Sequence, residues 1–252
     1  MSDMESATEN NTLRGIAKSI EAVEGWLSFD EGKFLYEAAR GASGRGVVVE
    51  IGSWQGKSTI WLAKGSMAGK SVPVYAIDPH TGAPEHHVIF GTKDIWTFDR
   101  FKENIAKAGV GAIVQPIVGR SGEVGATWGE PVEVLWIDGA HDFAAAEQDF
   151  KTWFPHLVEG GLVAYHDATF GEVKDVVRKH ILHSRNFKDV GVIDSIIFAT
   201  KVSPMRQTVS HRLRNRYIAL LVEVQDALRR LPVPSSLRPY GKAVARKIFR
   251  KT

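Results

Sequence analysis

Three aspartates and two histidines occupy positions where α/β proteins do chemistry. Asp78 closes the apolar run VYAID, Asp138 closes VLWID, and Asp167 follows His166 at the end of GGLVAYHD. His141 stands three residues beyond Asp138, in IDGAH. An imidazole titrates near neutrality and can accept a proton from a poorly acidic hydroxyl. Asp138, His141 and His166 are therefore the candidate catalytic residues. Asp138 and Asp167 end consecutive strands, so their carboxylates should be neighbours. Such a pair can orient His141, bind hydroxyls, or hold a hard cation such as Mg²⁺.

A second constellation precedes these. VVVEIGSWQGKSTIW contains GSWQGKST, which approaches the phosphate-binding pattern G-x-x-x-x-G-K-[ST]. Only three residues separate Gly52 from Gly56, and Ile51 stands where the anchoring glycine should be. Glu50 would repel a triphosphate. The alternative is E-x-G-x-x-x-G, with Glu50, Gly52 and Gly56 at a strand-to-helix turn. There glycine lets a ligand approach the backbone.

The elements that position these residues follow from hydrophobic patterning. GVVVEIG is a fully apolar, β-branched run that suggests a buried parallel strand, and SVPVYAIDP, AIVQPIVG, VEVLWIDGA and GGLVAYHDA are four more candidate strands. FKDVGVI and DSIIFAT predict an antiparallel hairpin at the sheet edge. Helical segments are expected over 28–41, 58–64, 96–108 and 143–157, the first with capping-box spacing between Ser28 and Glu31. This order predicts an α/β fold, a doubly wound, mostly parallel seven-stranded sheet. Ligands then lie beyond the carboxyl ends of the strands. Residues 80–95, with His80, His86 and His87, read as a long loop free to contact an acceptor. Residues 1–12 read as a frayed end.

These motifs resemble motif I and the acidic strand end of the class I S-adenosylmethionine-dependent methyltransferases. IDGAH followed by GGLVAYHD is similar to the branch of macrocin- and mycinamicin-type sugar O-methyltransferases. The resemblance spans roughly residues 25–200. It implies that Glu50, Gly52, Ser53, Gly56, Ser58, Asp78, Arg120, Ser121 and Asp138 surround S-adenosylmethionine, with Asp78 on the ribose hydroxyls. It also implies that His141 serves as base toward a saccharide or small-molecule acceptor. Metal-dependent relatives carry a third oxygen ligand beside the second aspartate; here His166 and Ala168 flank it. A phenol or catechol methyltransferase and a non-catalytic nucleotide binder are the rival readings.

Composition divides the chain into a tail and helix (1–24), a cofactor-binding domain (25–200) and a basic extension (201–252). The extension carries 13 Lys and Arg against 2 Asp and Glu, a formal +11; residues 1–200 carry 19 against 27, a formal −8. Leu213, Tyr217, Leu220, Leu221, Val224, Leu228 and Leu231 follow helical spacing, and SLRPYGKAVARKIFRKT resembles a second basic amphipathic helix. Such an arm suits a dimer contact or a peripheral membrane contact. Sparse aromatics and no RNA-binding signature argue against nucleic acid. The chain has no cysteine, which excludes disulfides and thiolate metal sites. A cytoplasmic location, at the inner membrane face if the tail attaches there, is the matching expectation.

Overall fold

The computed structural model describes residues 2–230. The chain order is α1 (Ser2–Ser19), α2 (Phe29–Arg40), β1 (Val47–Ile51), α3 (Lys57–Ala68), β2 (Val74–Asp78), α4 (Pro84–Phe90), α5 (Phe98–Lys107), β3 (Val114–Val118), α6 (Ser121–Ala126), β4 (Val132–Ile137), α7 (Phe143–Trp153), β5 (Leu157–Tyr165), α8 (Gly171–Val177), a π-helical turn (Arg178–Leu182), β6 (Phe187–Ile193), β7 (Ile196–Lys201) and α9 (Val209–Arg230).

The seven strands form one sheet in the order β3-β2-β1-β4-β5-β7-β6. The first five are parallel, and β7 runs antiparallel between β5 and β6. The chain winds outward from β1 to β3, then returns to the other side of β1 with β4. The switch point therefore lies between β1 and β4, where Gly52 and Asp138 emerge.

Alternation along β1 explains its unbroken apolar run. Val47, Val49 and Ile51 enter the core shared with α7, α8 and α9, whereas Val48 enters the core shared with α1, α2 and α3. Both faces are covered, so each residue of the strand is buried. Trp136 and Trp153 are fully buried, as an apolar default for tryptophan predicts.

Local signals place the surrounding helices. The Ser28–Glu31 capping box forms as the spacing predicts: Ser28 Oγ accepts from Glu31 N at 3.2 Å, and Ser28 N donates to Glu31 Oε2 at 2.8 Å. Three expectations need correction. The acidic N-terminal segment is helical from Ser2 onward, and Leu13 and Ile16 anchor α1 to the core. Residues 80–95 contain α4, started by Pro84 at a position where no amide donor is needed. His80 is a core residue, not a loop residue. It is fully buried among Phe98 and Phe101, with Nδ1 2.8 Å from Thr97 Oγ1, and burial lowers its pKa. The expected second basic helix lies outside the described residues.

No described helix is long and apolar enough to cross a membrane.

Candidate functional site

A cavity of about 890 Å³ opens over the carboxyl ends of β1, β2 and β4. Its volume falls in the range that holds a cofactor-sized ligand. One half is built from backbone. Gly52 has φ +83°, and a Cβ there would lie 2.1 Å from the carbonyl oxygen of Asp138. Only glycine lets the β1 and β4 turns approach this closely. Gly56, at φ +92°, caps the start of α3, and a Cβ there would lie 3.2 Å from Phe101 Cδ2 and 3.3 Å from Ile105 Cδ1.

Asp78 ties this turn to β2. Its Oδ2 accepts from Ser53 N and Trp54 N, both at 2.8 Å, and its Oδ1 accepts from His80 N at 2.6 Å. A carboxylate offers about four acceptor sites. Three are used within the chain, so Asp78 first fixes the turn and then has acceptor capacity left for a ligand. Ser53 Oγ lines the same wall, is almost wholly buried, and has no hydrogen-bond partner among the described residues. An unpartnered buried hydroxyl is costly in an empty fold and natural in a wall completed by a polar ligand. The residues present therefore fit a nucleoside cofactor with an amino-acid arm.

The other predicted cofactor residues divide. Ser58, Arg120, Ser121 and Asp138 line the cavity. Gly56 and Glu50 do not; they act from behind it. Glu50 is fully buried and accepts from Ser58 Oγ at 2.5 Å and from Thr59 Oγ1. Burial pushes its pKa up to about 8 despite these bonds. Glu50 is thus a clamp between β1 and α3, kept largely protonated at neutral pH. Lys57, the residue that suggests a phosphate grip, donates to the carbonyl of Gly25 at 3.1 Å.

The second half of the cavity is built from side chains. His141, about two-fifths exposed, has Nε2 3.6 Å from Asp167 Oδ2 and 3.9 Å from Asp138 Oδ1. His166 lies beneath, nearly buried. Its Nδ1 is 3.0 Å from Asp138 Oδ1, and its Nε2 is 3.6 Å from Glu31 Oε1. With both ring nitrogens facing carboxylates, His166 is an imidazolium. Burial opposes the charge, but Asp138, Glu31 and Asp167 raise its pKa to about 11. Burial likewise opposes ionisation of Asp138, and the two histidines hold its pKa below the ordinary value. Glu31 follows the same logic and falls to about 2. His166 therefore has no proton-accepting nitrogen to offer a substrate. It positions Asp138, and of the two predicted catalytic histidines His141 is the more accessible.

The donor set also bears on Mg²⁺. Asp138 and Asp167 do converge, but Asp138 Oδ1 is engaged by the His166 cation. Among the described residues, no group of three or more His, Cys, Asp or Glu is disposed to hold a metal ion. His166 and Ala168, neither of them an oxygen ligand, flank Asp167, so the residues present fit the ion poorly.

An aromatic rim completes the mouth. Trp54 (φ +46°) stacks on His86 with centroids 4.3 Å apart, and Trp26 stacks on the same ring at 5.5 Å. Val88, Ile89 and Phe90 on α4 are exposed beside it. Glu31, Asp149 and Trp26 are site residues that sequence reasoning missed. Glu31 doubles as a helix cap, which masks its reach toward His166. Asp149 sits within α7 and lines the cavity, its pKa raised to about 6 by burial. A carboxylate among Ala146, Phe150 and Trp153, on the otherwise apolar face of α7, was the available signal.

Comparison with known proteins bears on the fold. Residues 49–168 match the sequence model of a family described as a methyltransferase domain. Among solved structures, the chain is similar to the O-methyltransferase NovP, with TM-score 0.60 and 16% identity over 70% of this chain and 81% of that one. It is similar to the O-methyltransferase TomG from Streptomyces achromogenes, solved with S-adenosylmethionine (TM-score 0.53, 19% identity, 76% and 89% covered). It is also similar to MycE, a methyltransferase from mycinamycin biosynthesis solved with Mg and S-adenosylhomocysteine (TM-score 0.51, 17% identity, 78% and 56% covered). Residues 49–168 thus resemble a methyltransferase domain, and the chain shares its fold with solved O-methyltransferases.

Proposed function

We propose that this protein transfers a methyl group from S-adenosylmethionine to a hydroxyl of a sugar or glycoside. The observation that carries the reading is His141, part-exposed in the cavity with Nε2 facing Asp138 and Asp167. When bound, S-adenosylmethionine supplies an electrophilic methyl on a sulfonium. The Gly52–Trp54 turn, Asp78 and the Arg120–Ser121 corner are the residues that would hold it. His141 then accepts the acceptor's hydroxyl proton as the oxygen attacks. Asp138 and Asp167 keep the imidazole oriented and stabilise its charged form. His166, pinned by Glu31, keeps Asp138 ionised and in place. Holding the oxygen in line supplies much of the rate, and base assistance adds about 10²- to 10⁴-fold. No step is routed through a metal.

A second reading is methylation of a phenol or catechol. The stacked Trp26–His86–Trp54 rim favours it, because flat rings pack against such a surface. The two readings differ in their need for the base, since a phenol ionises far more readily than a sugar hydroxyl. The test is transfer of labelled methyl to glycosides and to phenols by the wild type and by His141→Gln. Turnover on a glycoside that collapses in the variant supports the first reading. Turnover confined to phenols, and only mildly reduced in the variant, sinks it.

A further inference from the structure

The helix α9 has two apolar faces, and only one of them meets the protein. Ile218, Ala219 and Val222 are buried against the sheet edge, with Asn215 Nδ2 donating to the carbonyl of Phe187 at 3.0 Å. Leu213, Tyr217, Leu220, Val224 and Leu228 lie on the opposite side, at successive spacings of four, three, four and four residues. They are 63%, 49%, 61%, 48% and 57% exposed. The stripe that sequence patterning would send to the core is the one that points outward. Isolated exposed leucines need no explanation, but a continuous outward row on a 22-residue helix does.

Charge says what covers it. The helix has two acids, Glu223 and Asp226, and both are tied into ion pairs at its base. Asp226 takes Lys174 Nζ and Arg230 Nη2, each at 2.7 Å. Glu223 takes Lys174 Nζ at 3.0 Å and Arg178 Nη1 at 3.1 Å. Arg212 and Arg216 flank the apolar row on one side and Arg214 on the other. Beyond the helix, residues 231–252 add 6 Lys and Arg and no acid. The occupant of this face must offer hydrocarbon and negative charge in one plane. A second copy of α9 offers hydrocarbon but brings two strongly cationic segments together.

We infer that the outer face of α9 is a docking surface for an anionic lipid membrane. The leucine row enters the boundary between headgroups and acyl chains. Arg212 and Arg216 beside it reach the lipid phosphates, their aliphatic stems lying along the apolar row, whereas Arg214 donates Nε to the carbonyl of Val190 at 3.2 Å. The inference is independent of the acceptor and of the methyl-transfer reading.

The experiment is co-sedimentation of the full chain with vesicles of phosphatidylcholine alone and of phosphatidylcholine mixed with phosphatidylglycerol. Binding is expected only to the mixed vesicles, weakening as salt rises. Leu220→Glu combined with Val224→Glu should weaken it by about tenfold or more, from the apolar area withdrawn from lipid. Both positions are exposed, so the melting temperature should not change. Arg212→Glu with Arg216→Glu provides a second variant, expected to weaken binding to mixed vesicles without altering the fold. Light scattering is run in parallel. Equal affinity for both vesicle types overturns the inference. So does a dimer that Leu220→Glu with Val224→Glu dissociates, in a protein that ignores vesicles.

Discussion

The two halves of the cavity are built by different means. The half around Gly52, Ser53 and Asp78 is a backbone construction, in which three amides converge on one carboxylate and a carbonyl packs where a Cβ would be. The half around His141 is assembled from side chains just beyond β4 and β5 and on α2, linked through the buried His166 cation. A backbone cradle tolerates little change in geometry and serves one invariant ligand. A side-chain cluster can be retuned residue by residue, which suits the part of an enzyme that meets a variable acceptor.

Substitutions sharpen this contrast. Gly52→Ala should have the largest effect, because a Cβ collides with backbone and φ is left-handed. A destabilisation of more than about 3 kcal/mol is expected in denaturant unfolding. A stable variant that retains cofactor affinity would break the backbone reading of that half. His141→Ala should lower kcat by about 10²- to 10⁴-fold and leave S-adenosylhomocysteine affinity unchanged. A parallel loss of affinity would mean that the two halves are not separable.

Asp78→Asn should cross the divide in the other direction. It removes the charge that gathers three amides, so stability falls by about 1–3 kcal/mol and cofactor affinity by roughly tenfold, with kcat at saturation little changed. Calorimetry and thermal melts on one preparation separate the two losses.

The smallest effect concerns Glu50. Its folded pKa, about 8, lies above its ordinary value, so folding takes up a proton. Its contribution to stability is full below pH about 4.5 and is lost as pH rises through about 8. Glu50→Gln keeps a neutral side chain of the same shape, and should flatten that part of the stability–pH curve without loss of the fold. An unchanged slope would show that Glu50 is ionised in its pocket.

The sheet was legible because each strand is either a β-branched apolar run or an alternating hairpin strand, and its strand-end aspartates follow from topology. Gly52 and Asp78 were legible for the same reason, since a strand-to-helix turn leaves few alternatives. Glu50 was harder. Its proximity to the glycines suggests ligand contact, yet strand alternation turns it inward to Ser58 and Thr59. His166 shows the limit clearly. Its type and position beside Asp167 suggest proton transfer, and only the approach of Glu31 from a helix more than a hundred residues earlier makes it a fixed cation. The α9 stripe misleads for another reason. Spacing reveals that a helix has an apolar face, but when two faces are apolar only packing tells which is buried.

Calorimetric titration of the full chain with S-adenosylhomocysteine tests the assignment of the cavity most directly. The expected result is saturable binding of one equivalent, undisturbed by ATP and weakened in Asp78→Asn. No binding of S-adenosylhomocysteine, or an ATP site that disappears in Lys57→Ala, would contradict it.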